Sequence, residues 1–108
     1  MADQSNDNDK AISTPKSKQL VWLITGTSSG LGLALVQHIL SFTRDLVIAT
    51  ARARSIHLLD PLLVNPAFKG RLQALPLDVT ADEETIGQVV RDAVGLWERI
   101  DVVVNNAG

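Results

Sequence analysis

Five apolar residues in succession, Leu20-Val21-Trp22-Leu23-Ile24, stop abruptly at Thr25-Gly26. A run of that length suits a strand, and apolarity without alternation predicts burial on both faces, as in a parallel sheet. Beyond a Gly/Ser-rich turn, Leu31, Ala34, Leu35, His38 and Ile39 recur at three- and four-residue steps. That period predicts a helix to about Phe42 with those residues on its inner face. The alternation then repeats, with a strand at Leu46–Ala51, a weak helical stretch from Ser55 to Val64 interrupted by Pro61, and a third strand from Leu72 to Leu77. Thr80-Ala81-Asp82-Glu83 reads as a capping box that opens a helix running to about Arg99. Its apolar positions Ile86, Val89, Val90, Ala93, Val94 and Trp97 predict one buried face. Val102, Val103 and Val104 predict a fourth strand, followed by Asn105-Asn106-Ala107-Gly108.

Four strands separated by three helical segments predict the α/β class. Parallel pairing with right-handed crossovers gives a doubly wound, Rossmann-like sheet in the order 3-2-1-4, with helices on both faces. Such a sheet reverses direction between its first and fourth strands, and ligands bind outside the carboxyl ends of the strands at that point. The Thr25 to Gly32 loop and the Asn105 to Gly108 end are both expected there. Residues 1–19 are polar, with little to bury, and are expected to form a disordered leader ahead of one domain at 20–108. A transit peptide is disfavoured, because the leader carries Asp3, Asp7 and Asp9 and no arginine.

Composition narrows the function classes. With 45% hydrophobic and 20% charged residues the chain has ordinary globular character, and a net charge of −2 without a basic cluster gives nucleic acid no electrostatic footprint. The chain has no cysteine, so disulfides, thiolate metal sites and a thiol nucleophile are excluded. His38 and His57 have no partner at metal-ligand spacing, and no metal site is expected. No apolar stretch reaches the roughly 18 residues of a membrane span. A cytoplasmic location, with no membrane or nucleic-acid partner, is the expectation.

The segment Thr25-Gly26-Thr27-Ser28-Ser29-Gly30-Leu31-Gly32 lies between a predicted strand and a predicted helix. A glycine at the strand exit permits a tight turn, backbone without side chains lets amides approach a diphosphate, and the last glycine lets the helix pack on the sheet. The helix N-terminus adds free N–H groups and a partial positive charge. A plain turn, with Ser28 or Ser29 capping the helix, is the competing reading. A P-loop is excluded, because the lysine followed by serine or threonine is missing.

This loop, TGTSSGLG, resembles the TGxxxGxG cofactor motif of the short-chain dehydrogenase/reductase family, single-domain type, and NNAG at Asn105 to Gly108 resembles that family's second signature. Leu77-Asp78-Val79 adds a third match, and the resemblance spans Leu20 to Gly108. It implies that backbone near Thr27, Ser28 and Leu31 faces a pyrophosphate and ribose. Asp78 and Val79 are implied beside the adenine. Asn105 with Ala107 and Gly108 is implied at the nicotinamide ribose, while Asn106 ties neighbouring strands.

An enzyme choosing NAD carries an acid at the end of the second strand, whereas one choosing NADP supplies an arginine nearby. Here the strand ends Ala49-Thr50-Ala51-Arg52, with Arg54 close behind, so NADP is the expected cofactor and Arg52 the expected partner of its 2′-phosphate. The family's catalytic Ser and YxxxK lie beyond NNAG, and this chain has no tyrosine. The resemblance therefore implies the cofactor-binding front part of an oxidoreductase that acts on a small-molecule carbonyl or alcohol, without the catalytic residues. A homo-oligomeric complete parent is implied too. The alternative is a non-catalytic dinucleotide-binding module acting through regulation or protein contact. The fourth strand, left as a bare apolar edge, is expected to promote association.

Overall fold

The structure is a computed structural model that describes residues 19–107. The predicted leader, save Gln19, and Gly108 lie outside the described residues. Four strands, β1 (Val21–Ile24), β2 (Leu46–Ala51), β3 (Leu72–Pro76) and β4 (Val102–Val104), form one sheet in the order β3-β2-β1-β4. All three pairings are parallel, so the predicted strand order holds. Helix α1 (Gly30–Phe42) joins β1 to β2. The second crossover is a 3-10 turn at Ile56–Leu59 running into a one-turn helix, α2 (Asp60–Leu63), then a second 3-10 turn at Pro66–Phe68. Helix α3 (Glu83–Trp97) joins β3 to β4.

Strand alternation divides the core in two. Trp22 and Ile24 of β1, Val47 and Ala49 of β2, and Leu72 of β3 face α1 and the second crossover, where they meet Val36, Ile39, Leu40, Leu59 and Leu62. Val21, Leu23, Leu46 and Ile48 point the other way and meet Ala93, Trp97 and Ile100. Strand β2, flanked on both edges and covered on both faces, is buried throughout.

Several local expectations are corrected. The inner face of α1 is Gly32, Val36, Ile39 and Leu40, whereas Leu31, Ala34 and His38 are exposed. Both sets satisfy the helical period. Contact between Gly32 and the Gly26 carbonyl decides between them, because it rotates the helix by one position, roughly 100°. Helix α3 is capped by Asp82, whose carboxylate accepts the Thr85 amide at 2.8 Å, and not by Thr80. Thr80 is otherwise engaged, donating its hydroxyl to Asp78. Helix α3 ends at Trp97, with Glu98 in the left-handed region at φ 67°. Only part of its expected inner face is covered, since Val90 and Val94 stay 39% and 38% exposed. Pro61 starts α2 instead of interrupting a helix, because the first turn needs no proline N–H. Among the described residues no helix is long and apolar enough to cross a membrane.

Candidate functional site

The carboxyl ends of β1, β2 and β4 are stitched together by short polar side chains. The Thr25 amide donates to the Val104 carbonyl at 3.1 Å, continuing the ladder between β1 and β4 by one residue. Its hydroxyl donates to Asn105 Oδ1 at 3.3 Å and accepts the Ala107 amide at 3.0 Å. Asn106 Nδ2 donates to the Gly26 carbonyl at 3.0 Å, so this asparagine does tie the two strand ends. On the opposite side, the amide and hydroxyl of fully buried Thr27 both donate to the Thr50 carbonyl, at 3.1 and 3.0 Å. Thr50 in turn donates to the Ile24 carbonyl at 3.3 Å. The glycine loop is thus held between the ends of β2 and β4.

Two glycines make that close packing feasible. Gly26 sits at φ +66°, and a Cβ there would lie 2.9 Å from the Ala107 Cβ. A Cβ on Gly32 would collide with the Gly26 carbonyl and the Asn106 amide. The first backbone bond entering α1 runs from the Leu33 amide to the Ser29 carbonyl at 3.3 Å. The amides of the preceding turn therefore stand outside the helix's own ladder, as orphan donors at a helix start do. Ser29 occupies the cap position, yet its side chain makes no capping bond. The competing reading of this loop as a serine-capped turn accordingly lacks its defining interaction.

Beside the loop lies an open crevice of about 220 Å³. Gly26 and Ser28 form one wall, Ala107 closes the β4 side, and Ala51, Arg52, Arg54 and Ser55 come from the end of β2. Leu77 and Val79 supply the β3 side. Of the residues singled out from sequence, Gly26, Ser28, Arg52, Val79 and Ala107 meet on this one cavity. Thr27 and Gly32 are buried behind it as supports. Ser29, Gly30, Leu31 and Asn105 are exposed and do not line it, and Leu31 is 76% exposed.

Asp78 stands between two lining residues without lining the crevice itself. The Thr80 hydroxyl and then the Thr80 amide hold its carboxyl below the usual range, and Arg52 and Arg54 add to that. The end of β2 therefore carries two guanidinium groups whose field reaches β3. Among the described residues the ion pair is Arg99–Asp101 at 3.0 Å, and neither Arg52 nor Arg54 enters one. From sequence, Arg54 stands close behind Arg52 without being assigned to the wall, and Ser55 is not expected there. The Ser55 amide donates to the Arg52 carbonyl at 2.9 Å, and that turn folds both back onto the cavity. A turn-forming serine four positions after the strand end was the available signal.

The arrangement can seat a diphosphate on uncharged amides at one end and an anion on guanidinium groups at the other. A comparison of the chain with known proteins points the same way. The family described as short chain dehydrogenase matches residues 20–108. Oxidoreductase BOA17 of Botryotinia fuckeliana (strain B05.10) is 46% identical over 88 residues, covering 82% of this chain and 30% of that protein. The NADPH-bound carbonyl reductase from chicken fatty liver superposes with a TM-score of 0.69 at 27% identity, over 83% of this chain and 35% of the other. Salutaridine reductase from Papaver somniferum shares the fold with a TM-score of 0.72 at 23% identity, over 83% of this chain and 30% of the other. The chain thus spans about a third of the length of the proteins it matches.

Proposed function

Because the chain belongs to the short-chain dehydrogenase family, whose pattern covers residues 20–108, we propose that it forms the NADP(H)-binding part of an oxidoreductase. The observation that carries this reading is the crevice itself, where the glycine loop and Arg52 line one cavity. The loop offers amides to the pyrophosphate, and the rim offers a guanidinium to the 2′-phosphate. At the end of β2 stands Ala51 where an NAD-selecting acid would repel that phosphate, and Arg52 follows it. Asp78 and Val79 take the adenine, with Asn105, Ala107 and Gly108 on the nicotinamide side.

When bound, the nicotinamide supplies or accepts a hydride. This chain's residues hold and orient the dinucleotide, and the buried threonine pair fixes the loop against β2. A carbonyl accepting hydride also needs a proton donor, and these 108 residues contain no tyrosine to act as one. We assign to these residues the seating of the cofactor, with hydride transfer to a carbonyl or from an alcohol as the reaction that the bound cofactor would serve.

Titration of the 108-residue chain with NADPH and NADH tests the assignment. NADPH is expected to bind about 10- to 100-fold more tightly, the worth of a charge-assisted contact to one phosphate. Arg52→Ala narrows that gap. Equal affinities for the two cofactors, unchanged in the variant, overturn the NADP assignment.

A further inference from the structure

The turn after β2 brings a hydroxyl and two guanidinium groups to one cavity. Arg52, Arg54 and Ser55 all line the crevice, and the Ser55 amide, bonded to the Arg52 carbonyl at 2.9 Å, holds the serine beside the arginines. Ser55 is half-buried and stands at the cap position of the 3-10 turn at Ile56–Leu59. Its side chain nevertheless makes no capping bond, and its hydroxyl has no hydrogen-bond partner among the described residues. Both arginines are exposed. Asp78, the acid whose ionisation they favour, pairs with neither, because its Oδ1 accepts the Thr80 amide at 2.9 Å and the Thr80 hydroxyl at 2.6 Å.

An unused hydroxyl beside two cations suits a phosphate ester. Such an ester carries a charge of about −1.5 to −2 at neutral pH and three acceptor oxygens, and opposite an arginine cluster it forms charge-assisted hydrogen bonds. Ser28, also in the wall, follows the uncharged Thr25-Gly26-Thr27 and has no such cations. At Ser55 the cations stand three residues and one residue before the hydroxyl. Protein kinases select substrates by charge patterns of this kind. The segment is accessible to one, since residues 52 to 54 are exposed and the turn is held by two local backbone bonds, Ser55 to Arg52 and Leu58 to Ser55. Turns fastened so locally open at small cost.

Resting on the dinucleotide seat proposed above, we infer that Ser55 is a phosphorylation site whose phosphate occupies the guanidinium end of the crevice and excludes the 2′-phosphate of a dinucleotide. Ser55 Oγ attacks the γ-phosphorus of a nucleoside triphosphate. The new O–P bond forms as the bond from that phosphorus to the β,γ-bridging oxygen breaks, the nucleoside diphosphate leaves, and the hydroxyl proton passes to a base of the kinase. Tethered to the wall, the phosphate meets Arg52 and Arg54 at the high effective concentration of an intramolecular ligand. A 2′-phosphate arriving on the cofactor then finds its cations engaged and a like charge beside them. A dinucleotide without that phosphate loses much less.

The 108-residue chain carrying phosphoserine at position 55 is titrated with NADPH and NADH beside the unmodified chain. Phosphorylation is expected to weaken NADPH by about 10- to 100-fold, the worth of the guanidinium contact, and to change NADH by less than about threefold. In phosphorus NMR the Ser55 phosphate is expected to ionise below its ordinary value of about 6, and Arg54→Ala returns it toward that value. Equal weakening of both cofactors, unchanged NADPH binding, or a phosphate that ionises at its ordinary value overturns the inference. Incubation of the unmodified chain with ATP and an arginine-directed kinase is expected to place phosphate on Ser55, located by peptide mass. Transfer to other residues alone, or to none, overturns Ser55 as the modified residue. A folded, unmodified chain that binds neither dinucleotide defeats the proposed function itself, whereas an NADPH preference that survives phosphorylation defeats this inference alone. Circular dichroism of both forms checks that each is folded.

Discussion

The two faces of the sheet are made from the same four strands and end in different states. The face toward α1 is covered by two crossovers, and its core contains nine buried residues from three strands, α1 and the second crossover. The face toward α3 is covered by one helix whose only fully buried side chain is Ala93. Val103, turned by strand alternation to the same side, is 62% exposed. An apolar residue stabilises only as far as it is removed from water, so apolar composition alone overstates the second face. The comparison is sharpest between Leu40, which is 2% exposed, and Val90, which is 39% exposed. Leu40→Ala is expected to destabilise by about 3 kcal/mol, with loss of transfer energy and a cavity combined. Val90→Ala is expected to cost about 0.5 kcal/mol. Urea midpoints at constant slope measure both, and comparable costs would abolish the distinction between the faces.

The α1 face is also fastened by a single guanidinium. Arg71 Nη2 donates to the Leu40 carbonyl at 2.7 Å, and Nη1 donates to the Thr43 and Asp45 carbonyls at 3.0 and 3.2 Å. The Leu40 carbonyl, orphaned in the last turn of α1, and two carbonyls just past the helix thereby find a donor that also carries the favourable charge for that terminus. Arg71→Met keeps the apolar stem and removes the donors. A loss of about 2 kcal/mol is expected, again by urea midpoint, because half-buried carbonyls are left without partners. An unchanged midpoint would mean that water replaces the guanidinium without cost.

This division explains what could be read from the sequence. Strands were legible because continuous apolar runs have few alternatives, and β2 begins and ends at Leu46 and Ala51 as expected. The place of the glycine loop at the strand exit and the tie made by Asn106 were legible because their chemistry is local, whereas Asn105, expected beside the ligand, is exposed and off the crevice. The orientation of α1 was not, since its period fits two faces and a backbone contact at Gly32 selects one. Thr80 was misread as a cap because a hydroxyl can serve either a helix amide or a nearby carboxylate, and Asp78 competes successfully. Arg71 gave no signal, being 31 residues from the carbonyl it caps. Arg54 and Ser55 reach the cavity through a turn closed by the Ser55 amide on the Arg52 carbonyl, for which the serine is a weak local signal.

The smallest expected effect concerns how each side is clamped. Where the α1 side relies on Arg71, the α3 side enters β4 through Asp101, whose Oδ2 accepts the Val21 amide at 2.8 Å and Arg99 Nε at 3.0 Å. The Asp101 amide returns a bond to the Val21 carbonyl at 2.8 Å. The Val21 amide, followed by Arg99, holds the Asp101 carboxyl below its ordinary value of 3.8. A carboxyl whose folded value is depressed stabilises the fold fully above the unfolded value, and that contribution fades as pH falls through the lower folded one. Stability of the wild-type chain should therefore fall more steeply below about pH 4 than that of Asp101→Asn. The variant should be the weaker at neutral pH, with the two converging in acid. The Arg71 clamp, built on carbonyl oxygens, has no carboxylate to protonate. Acid should consequently loosen the entry to β4 before the end of α1, and hydrogen exchange at the Val21 and Thr43 amides reads the order directly. Parallel pH profiles for the two proteins would show that the Asp101 contacts contribute nothing to the fold.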